Sequence, residues 1–184
     1  YYAQMEEPKF LYREAAEDLR AQKFADAAGK YKHLGKFVQQ HHDALKKSPV
    51  KFEDKTKKEL DTMMTVLGKY AKLGLADVEY RLGNYDKVLS FGLVGSLVEA
   101  VELKAKTPGK IRVKDHAVAG EILGLALRTY VQKGDVDRAQ AMFDILERLA
   151  GEDDGALQGD NTNMMFAIVN DIEQHVKDLE KKNN

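Results

Sequence analysis

The side chains best suited to hold a metal ion are the five histidines, and their spacing does not build a site. A metal site on a helix needs two histidines three or four residues apart on one face, with a carboxylate nearby. His41 and His42 are adjacent, so they diverge by about 100° around a helix, and His33 lies eight and nine residues before them. We therefore interpret the histidines as solvated side chains and predict no metal. The absence of cysteine also removes thiol catalysis and thiolate ligands.

Two polar connectors resemble calcium loops in composition only. Residues 152–155 and 160–163 lack oxygen donors at alternating positions and the closing glutamate of such a loop, so we interpret them as links between helices. Glycines at 92, 95, 120 and 124 indicate close helix packing, because a phosphate loop would place its glycines between a strand and a helix. No residue pair has nucleophile–base spacing on a common face. The sequence predicts no enzymatic activity and no cofactor, although a buried, cofactor-sized cavity would reopen that question.

Basic residues cluster around two predicted connectors. Alternate connectors of an up-down helical array lie at the same end, so the two clusters could form one patch, which Glu53, Asp54, Glu59 and Asp115 dilute. The favoured interpretation is a solvated rim of mixed charge, and the alternative is a surface for an acidic partner segment. The net charge of -1 gives no reason to expect a nucleic acid partner. The clusters are Lys46, Lys47, Lys51, Lys55, Lys57 and Lys58, and Lys104, Lys106, Lys110, Arg112 and Lys114.

Apolar residues recur every three or four positions almost throughout, which predicts an all-α chain of seven helices with no strand. The 184 residues are enough for a single domain that needs no disulfide. The longest apolar stretch, 88–101, is shorter than the roughly 20 residues of a membrane span, so we expect a soluble segment without membrane insertion. Because the chain begins without methionine, we expect it to be excised from a longer protein, and its compartment is undetermined.

Three short turns join helices in a related way. The clearest spans Tyr130 to Ala139 around Gly134, a second surrounds Gly83, and a weaker one without glycine follows Gln22. Equivalent turn residues are Phe24, Tyr85 and Val136. The pattern predicts helical hairpins at roughly 7–47, 54–106 and 114–150, with the fourth helix running unbroken from Asn84 to Thr107 and the sixth to Gly151. An amphipathic capping helix is predicted at roughly 161–182.

The stretch from Ile122 to Leu149 resembles a tetratricopeptide repeat. Two degenerate copies precede it, and their turn residues lie 61 and 51 positions apart rather than about 34. The resemblance implies antiparallel hairpins stacked as a short right-handed α-solenoid; an unrelated helical bundle is the alternative. The matching positions are Leu123, Ala126, Tyr130, Gly134, Ala139, Phe143 and Leu146; then Leu75, Ala76, Gly83, Tyr85 and Val88; then Ala15, Phe24, Ala27, Tyr31 and Leu34.

The resemblance also implies a non-enzymatic scaffold that binds a partner peptide or helix in a groove lined by the first helix of each hairpin. Tyr80, Arg81 and Arg128 are the leading contact candidates, because tyrosine and arginine anchor interfaces well. Asp77 and Gln132 lie beside them, whereas Tyr80 and Leu73 could instead be core residues. The other groove positions are Lys9, Tyr12, Ala16, Leu19 and Arg20; Tyr70; and Glu121, Gly124 and Val131.

A structural subunit is the alternative function. Such a subunit would self-associate, or stack on adjacent repeats, through an apolar N-terminal face made by Tyr1, Tyr2, Phe10 and Tyr12. Light scattering over a concentration series separates this function from that of a peptide-binding scaffold.

Overall fold

The computed structural model describes residues 3–47 and 54–150, and these residues are mostly helical, which confirms the all-α prediction. They belong to two compact units, Tyr1–Lys87 and Val88–Asn184. No helix in the described ranges combines the length and the apolar character needed to cross a membrane. The helices are α1 Ala3–Arg20, α2 Phe24–Lys47, α3 Asp54–Arg81, α4 Tyr85–Ser90, α5 Gly92–Ala105, α6 His116–Lys133 and α7 Val136–Arg148, with strands β1 Ile111–Arg112 and β2 Leu149–Ala150.

The first unit consists of three long helices packed in antiparallel order. On α2, Tyr31 and Val38 lie against Gly74 and Gly68 of α3, so the contacts run in opposite directions along the two helices. Lys30 of α2 likewise reaches back to α1. These helices bury one apolar stripe each, as amphipathic helices do. The buried stripes contain Ala15 and Leu19; Ala27, Tyr31, Leu34 and Val38; and Met64, Ala71 and Val78.

The second unit is organised around α6, which is buried on nearly every side. Eleven of its eighteen residues are buried, including small residues such as Ala119 and Gly120. The close helix packing predicted at Gly120 is wrong, because no heavy atom of another helix lies within 4 Å of a Cβ added there. Helices α5 and α7 both pack against α6. Thr129 is fully buried within it, and its hydroxyl donates to the carbonyl of Leu125 at 2.7 Å, which satisfies the polar group inside the helix.

Three tight turns share one backbone geometry. Gln22, Gly83 and Gly134 each adopt a positive φ, between 60° and 77°. In each turn this residue donates its N–H to the carbonyl three residues back, and the next residue donates to the carbonyl five residues back, at 2.8 to 3.1 Å. This is the double hydrogen bond that ends many helices at a left-handed residue. Helices α2, α4 and α7 then begin two residues later, at Phe24, Tyr85 and Val136.

Two features of the second unit differ from the sequence prediction. The predicted fourth helix is divided at Phe91, which has an extended backbone with φ -60° and ψ 123° and caps the start of α5. Gly92 and Gly95 follow directly after this point, and glycine weakens a helix by about 1 kcal/mol per residue. The predicted absence of strands is also wrong, because Ile111 and Arg112 pair in parallel with Leu149 and Ala150.

The sixth predicted helix consequently ends at Arg148 rather than Gly151, since Leu149 has an extended backbone with ψ 127°. The alternation of buried Ile111 and Val113 with exposed Lys110, Arg112 and Lys114 is the pattern of a half-buried strand, which the helical spacing around it obscured. The capping helix predicted at roughly 161–182 and the polar connectors at 152–155 and 160–163 lie outside the described residues.

Candidate interaction surface

Tyrosine rings form the contact between α1 and α3 in the first unit. The ring centroid of Tyr12 on α1 lies 5.7 Å from that of Tyr70 on α3, in an edge-to-face arrangement. The same ring lies 6.2 Å from that of Tyr31, which belongs to α2 and is buried beneath them. Such tilted and edge-on pairs are the favoured geometries of aromatic side chains. We call this side of the first unit, where α1 and α3 meet, the α1–α3 face.

A glycine sets the position of the buried ring. Tyr31 packs directly on Gly74 of α3, where an added Cβ would lie 2.4 Å from ring carbons. Burial raises the pKa of the Tyr31 hydroxyl, and the neighbouring Tyr12 and Asp77 raise it further, while Arg20 opposes them. The α1–α3 face therefore combines aromatic rings with one acidic and one basic side chain close to a buried hydroxyl.

The last turn of α3 carries three of the predicted contact residues. Arg81 Nε lies 3.7 Å from Asp77 Oδ1, and the arginine side chain is 53% exposed. Tyr80 is half-buried, with its ring centroid 5.7 Å from that of Tyr85. Leu82 follows as an exposed apolar side chain. An exposed ion pair of this kind adds little stability, so Arg81 can exchange its partner at small cost.

Arg128 and Gln132 occupy the partly exposed stripe of α6. Beyond the first turn, nearly all residues of that helix are buried, whereas Glu121, Arg128, Val131 and Gln132 are half-buried. Their spacing of seven, three and one residues places them on one side of the helix. This stripe coincides with the groove positions that the repeat resemblance implies for α6, apart from Gly124, which is buried.

The structure separates the predicted contact residues into two groups. Asp77, Tyr80 and Arg81 lie together at the end of α3 in the first unit, and Arg128 and Gln132 lie one turn apart on α6 in the second. Three implied groove positions are instead buried: Leu19 and Leu73, which are each only 8% exposed, and Gly124. The alternative interpretation of Leu73 as a core residue is therefore correct.

Two residues of the predicted apolar N-terminal face, Phe10 and Tyr12, lie within the described residues. Phe10 is 58% exposed on α1. Tyr12 does not belong to that face as an exposed side chain, because it is half-buried between Tyr31 and Tyr70. Tyr1 and Tyr2 lie outside the described residues.

A histidine and a carboxylate side chain lie in contact across two helices of the first unit. His42 Nδ1 of α2 lies 2.9 Å from Asp61 Oδ1 of α3, and this pair links the C-terminal part of α2 to the N-terminal part of α3. Within residues 3–47 and 54–150, no three or more histidine, aspartate or glutamate side chains converge as a metal site. We therefore interpret the His42–Asp61 contact as a polar link between two neighbouring helices.

Arg148 is a residue that the sequence interpretation missed. Its guanidinium donates to three backbone carbonyls at the end of α5 and in the segment that follows, reaching Gly109 at 2.8 Å, Ala105 at 3.1 Å and Thr107. The partners lie 39 to 43 residues earlier in the chain, so no local pattern points to the contact. Arginine suits this position because its planar fork holds several donors in fixed directions.

Comparison of this chain with protein-family models, with curated proteins and with solved structures finds no match. The tetratricopeptide-like arrangement accordingly stays a prediction from the residues quoted above.

Proposed function

We propose that this chain is a non-enzymatic protein-interaction scaffold whose α1–α3 face binds a peptide or helix of a partner. The observation that carries the proposal is the composition at the end of α3, where Tyr80, Arg81 and exposed Leu82 follow one another. Tyrosine and arginine are the residues most often found as energetic anchors of interfaces. The tetratricopeptide resemblance supports the same face, since it implies that α1 and α3 line a groove.

The charges of this face suggest which partner it accepts. Asp77 and Arg81 are close enough to pair with each other, and both are partly exposed, at 25% and 53% of their side chains. A partner carrying an acidic residue followed by a basic one would exchange this weak intramolecular pair for two intermolecular ones. Charged pairs of this kind mainly set specificity and orientation.

Charge reversal at matched basic residues tests the proposal. Arg81→Glu changes the proposed surface, and Lys32→Glu changes an exposed basic residue of α2, which does not form that surface. Tagged protein captures partners from a lysate of the source cell, and mass spectrometry quantifies each captured protein. We expect Arg81→Glu to reduce the capture of a specific partner at least about tenfold, which corresponds to about 1.4 kcal/mol, while Lys32→Glu retains it. Equal capture by both variants would contradict the proposal.

The α6 stripe is tested separately, because its residues belong to the second unit. Arg128→Glu is compared with Lys133→Glu, an exposed position at the end of the same helix. Loss of the same partner by Arg128→Glu and by Arg81→Glu would extend the binding surface to Arg128 and Gln132. Loss by Arg81→Glu alone would restrict it to the α1–α3 face.

A structural subunit is the second candidate function, and exposed Phe10 favours it. Phe10 is 58% exposed on α1 and belongs to the face through which self-association is predicted, so it is the residue at which we test contact with a second copy of the chain. Light scattering over a concentration series would then show a mass that rises with concentration in the native chain and stays monomeric in Phe10→Glu. A native chain that stays monomeric at every concentration would contradict this function.

A further inference from the structure

The segment from Lys104 to Lys114 carries an unusual density of positive charge. It contains five basic residues and no Asp or Glu, in a chain whose net charge is only -1. Glu102 and Asp115 bound it on either side. All five basic side chains are exposed: Lys104, Lys106, Lys110, Arg112 and Lys114. We call these residues the basic segment.

The backbone of the basic segment is held in place from three directions. Arg148 bonds the carbonyls of Ala105, Thr107 and Gly109 from α7. Lys104 Nζ donates to the carbonyl of Arg112 at 2.7 Å, which joins the two ends of the segment. The Val113 N–H donates to the carbonyl of Ala150 at 3.3 Å, beside the pairing of β1 with β2. A surface fixed in this way loses little conformational entropy when it binds.

Buried apolar residues orient the charges. Ile111 and Val113 are 2% and 7% exposed, whereas Lys110, Arg112 and Lys114 are exposed between and beside them. Successive side chains of an extended chain point to opposite sides, so these three basic side chains share one side, at a spacing of about 6.6 Å along the chain. That spacing matches alternate carboxylates of an extended acidic peptide.

We propose that the basic segment is a second binding surface, which takes an extended acidic peptide of a partner protein. An acidic peptide fits better than a single-stranded nucleic acid, because the stretch 103–114 has no aromatic residue on which a base could stack. This surface is independent of the α1–α3 face, so either proposal can fail alone.

Fluorescence anisotropy with a labelled octaglutamate peptide tests the proposal. The full chain should bind the peptide, and Lys110→Gln/Arg112→Gln/Lys114→Gln should weaken binding at least tenfold. The matched control, Lys32→Gln/Lys36→Gln/Lys72→Gln, removes the same charge from exposed positions on α2 and α3 outside both basic clusters and should retain native affinity. Equal weakening by the two triple variants, or no binding by the native chain, would overturn the proposal.

Arg148→Lys separates a preorganised surface from a simple accumulation of charge. Lysine keeps the positive charge but cannot bond three carbonyls in the same fork. We expect a several-fold weaker affinity for octaglutamate in a variant whose circular dichroism is unchanged. Native affinity in this variant would overturn the role of the fixed backbone.

Two further experiments test whether something other than an acidic peptide of a partner binds the basic segment. An eight-nucleotide oligothymidylate that binds at least tenfold more tightly than octaglutamate would assign the surface to nucleic acid and overturn the peptide proposal. In Glu152→Gln/Asp153→Asn/Asp154→Asn the acidic stretch that follows β2 in the chain is neutralised. Binding of octaglutamate by that variant alone would mean that the chain's own acidic residues occupy the surface, which would also overturn it.

Discussion

The α1–α2 hairpin and the α6–α7 hairpin turn the chain with the same pair of backbone hydrogen bonds around Gln22 and Gly134. Each is followed by a buried alanine, Ala27 or Ala139, in the first turn of the next helix. Their interiors nevertheless differ. The first hairpin packs the Tyr31 ring against Gly74 of α3. In the second hairpin α6 buries mainly aliphatic side chains, and the guanidinium of Arg138 lies over the ring of Tyr130.

The comparison teaches that the turn and the interior are specified separately. A turn needs one residue that tolerates a positive φ and two carbonyls that accept hydrogen bonds, whatever the helices bury. The side chains that pack in the interior determine which positions of each helix stay exposed. Helices α1 and α3 bury single stripes and retain exposed charged positions such as Arg20 and Arg81, whereas α6 retains only a narrow stripe around Arg128.

The largest effect is expected from a core truncation in the second hairpin. Leu146 is 2% exposed, so Leu146→Ala should lower the free energy of unfolding by about 2 to 5 kcal/mol. Leu103 is 66% exposed, and Leu103→Ala should change it by no more than about 0.5 kcal/mol. Urea unfolding followed by circular dichroism measures both. Similar losses for the two variants would remove Leu146 from the core.

The next effect concerns Arg148 of the second unit, whose guanidinium bonds three backbone carbonyls. Arg148→Ala removes three charge-assisted hydrogen bonds and should cost about 1.5 to 3 kcal/mol. Urea unfolding compares it with Glu147→Ala, a change at an exposed neighbour that should have almost no effect. If both variants have the same urea midpoint of unfolding as the native chain, the three hydrogen bonds contribute nothing measurable to stability in solution.

Two buried glycines sharpen the contrast between the interiors. An alanine Cβ at position 74 would meet the Tyr31 ring at 2.4 Å, so Gly74→Ala should destabilise the first unit by about 1 to 3 kcal/mol. Gly120 of α6 has nothing within 4 Å of an added Cβ, and Gly120→Ala should stabilise by up to about 1 kcal/mol through helix propensity. Thermal unfolding shows whether each substitution raises or lowers the stability. A stabilised Gly74→Ala would mean that Tyr31 does not lie on this glycine.

The shared turn is tested by exchanging its residue types. Gly134 has φ 71°, so Gly134→Val should cost about 1 to 2 kcal/mol. Gln22 has φ 60° with a side chain, and Gln22→Gly should raise stability by up to about 1 kcal/mol. Opposite shifts in melting temperature are the expected result. Shifts of the same sign would show that the two turns do not share their backbone conformation.

The smallest effect is a pH dependence that differs between the two buried tyrosines. Burial raises the pKa of both Tyr31 and Tyr130 in the folded chain. At Tyr31 the neighbouring Tyr12 and Asp77 raise the pKa further and Arg20 opposes them, whereas at Tyr130 Glu102 raises it and Arg138 opposes it through both its charge and a hydrogen bond. A raised folded pKa gives stability that is complete below the unfolded value of about 10 and is lost as pH rises above it. Tyr31→Phe should therefore reduce the alkaline loss of stability more than Tyr130→Phe does.

Urea unfolding at about pH 9 and about pH 11 measures this difference. Lysine deprotonation affects the native chain and both variants alike, so only the difference between the variants is informative. A smaller alkaline loss of stability in Tyr130→Phe than in Tyr31→Phe would contradict the prediction.

Much of the fold follows from the sequence, and its exceptions have local causes. Apolar spacing predicts the helices, and Gly83 and Gly134 predict their turns, because both signals lie within a few residues. The break at Phe91 and the pairing of Ile111 with Leu149 depend on distant packing, which periodicity does not report. The Arg148 contacts are equally distant. For the candidate surface, residue type predicts Tyr80 and Arg81 as contacts, but only burial distinguishes them from Leu73, which has the same spacing and lies in the core.

Photo-crosslinking in the source cell tests the interaction surface most directly. A photoreactive phenylalanine analogue replaces Tyr80 in one variant and Phe10 in another, and mass spectrometry identifies what each residue touches. The scaffold function predicts that position 80 crosslinks to a defined peptide of a different protein, with position 10 giving none of that product. Crosslinks from position 10 to a second copy of this chain, with none to another protein from position 80, would contradict it and support the structural subunit.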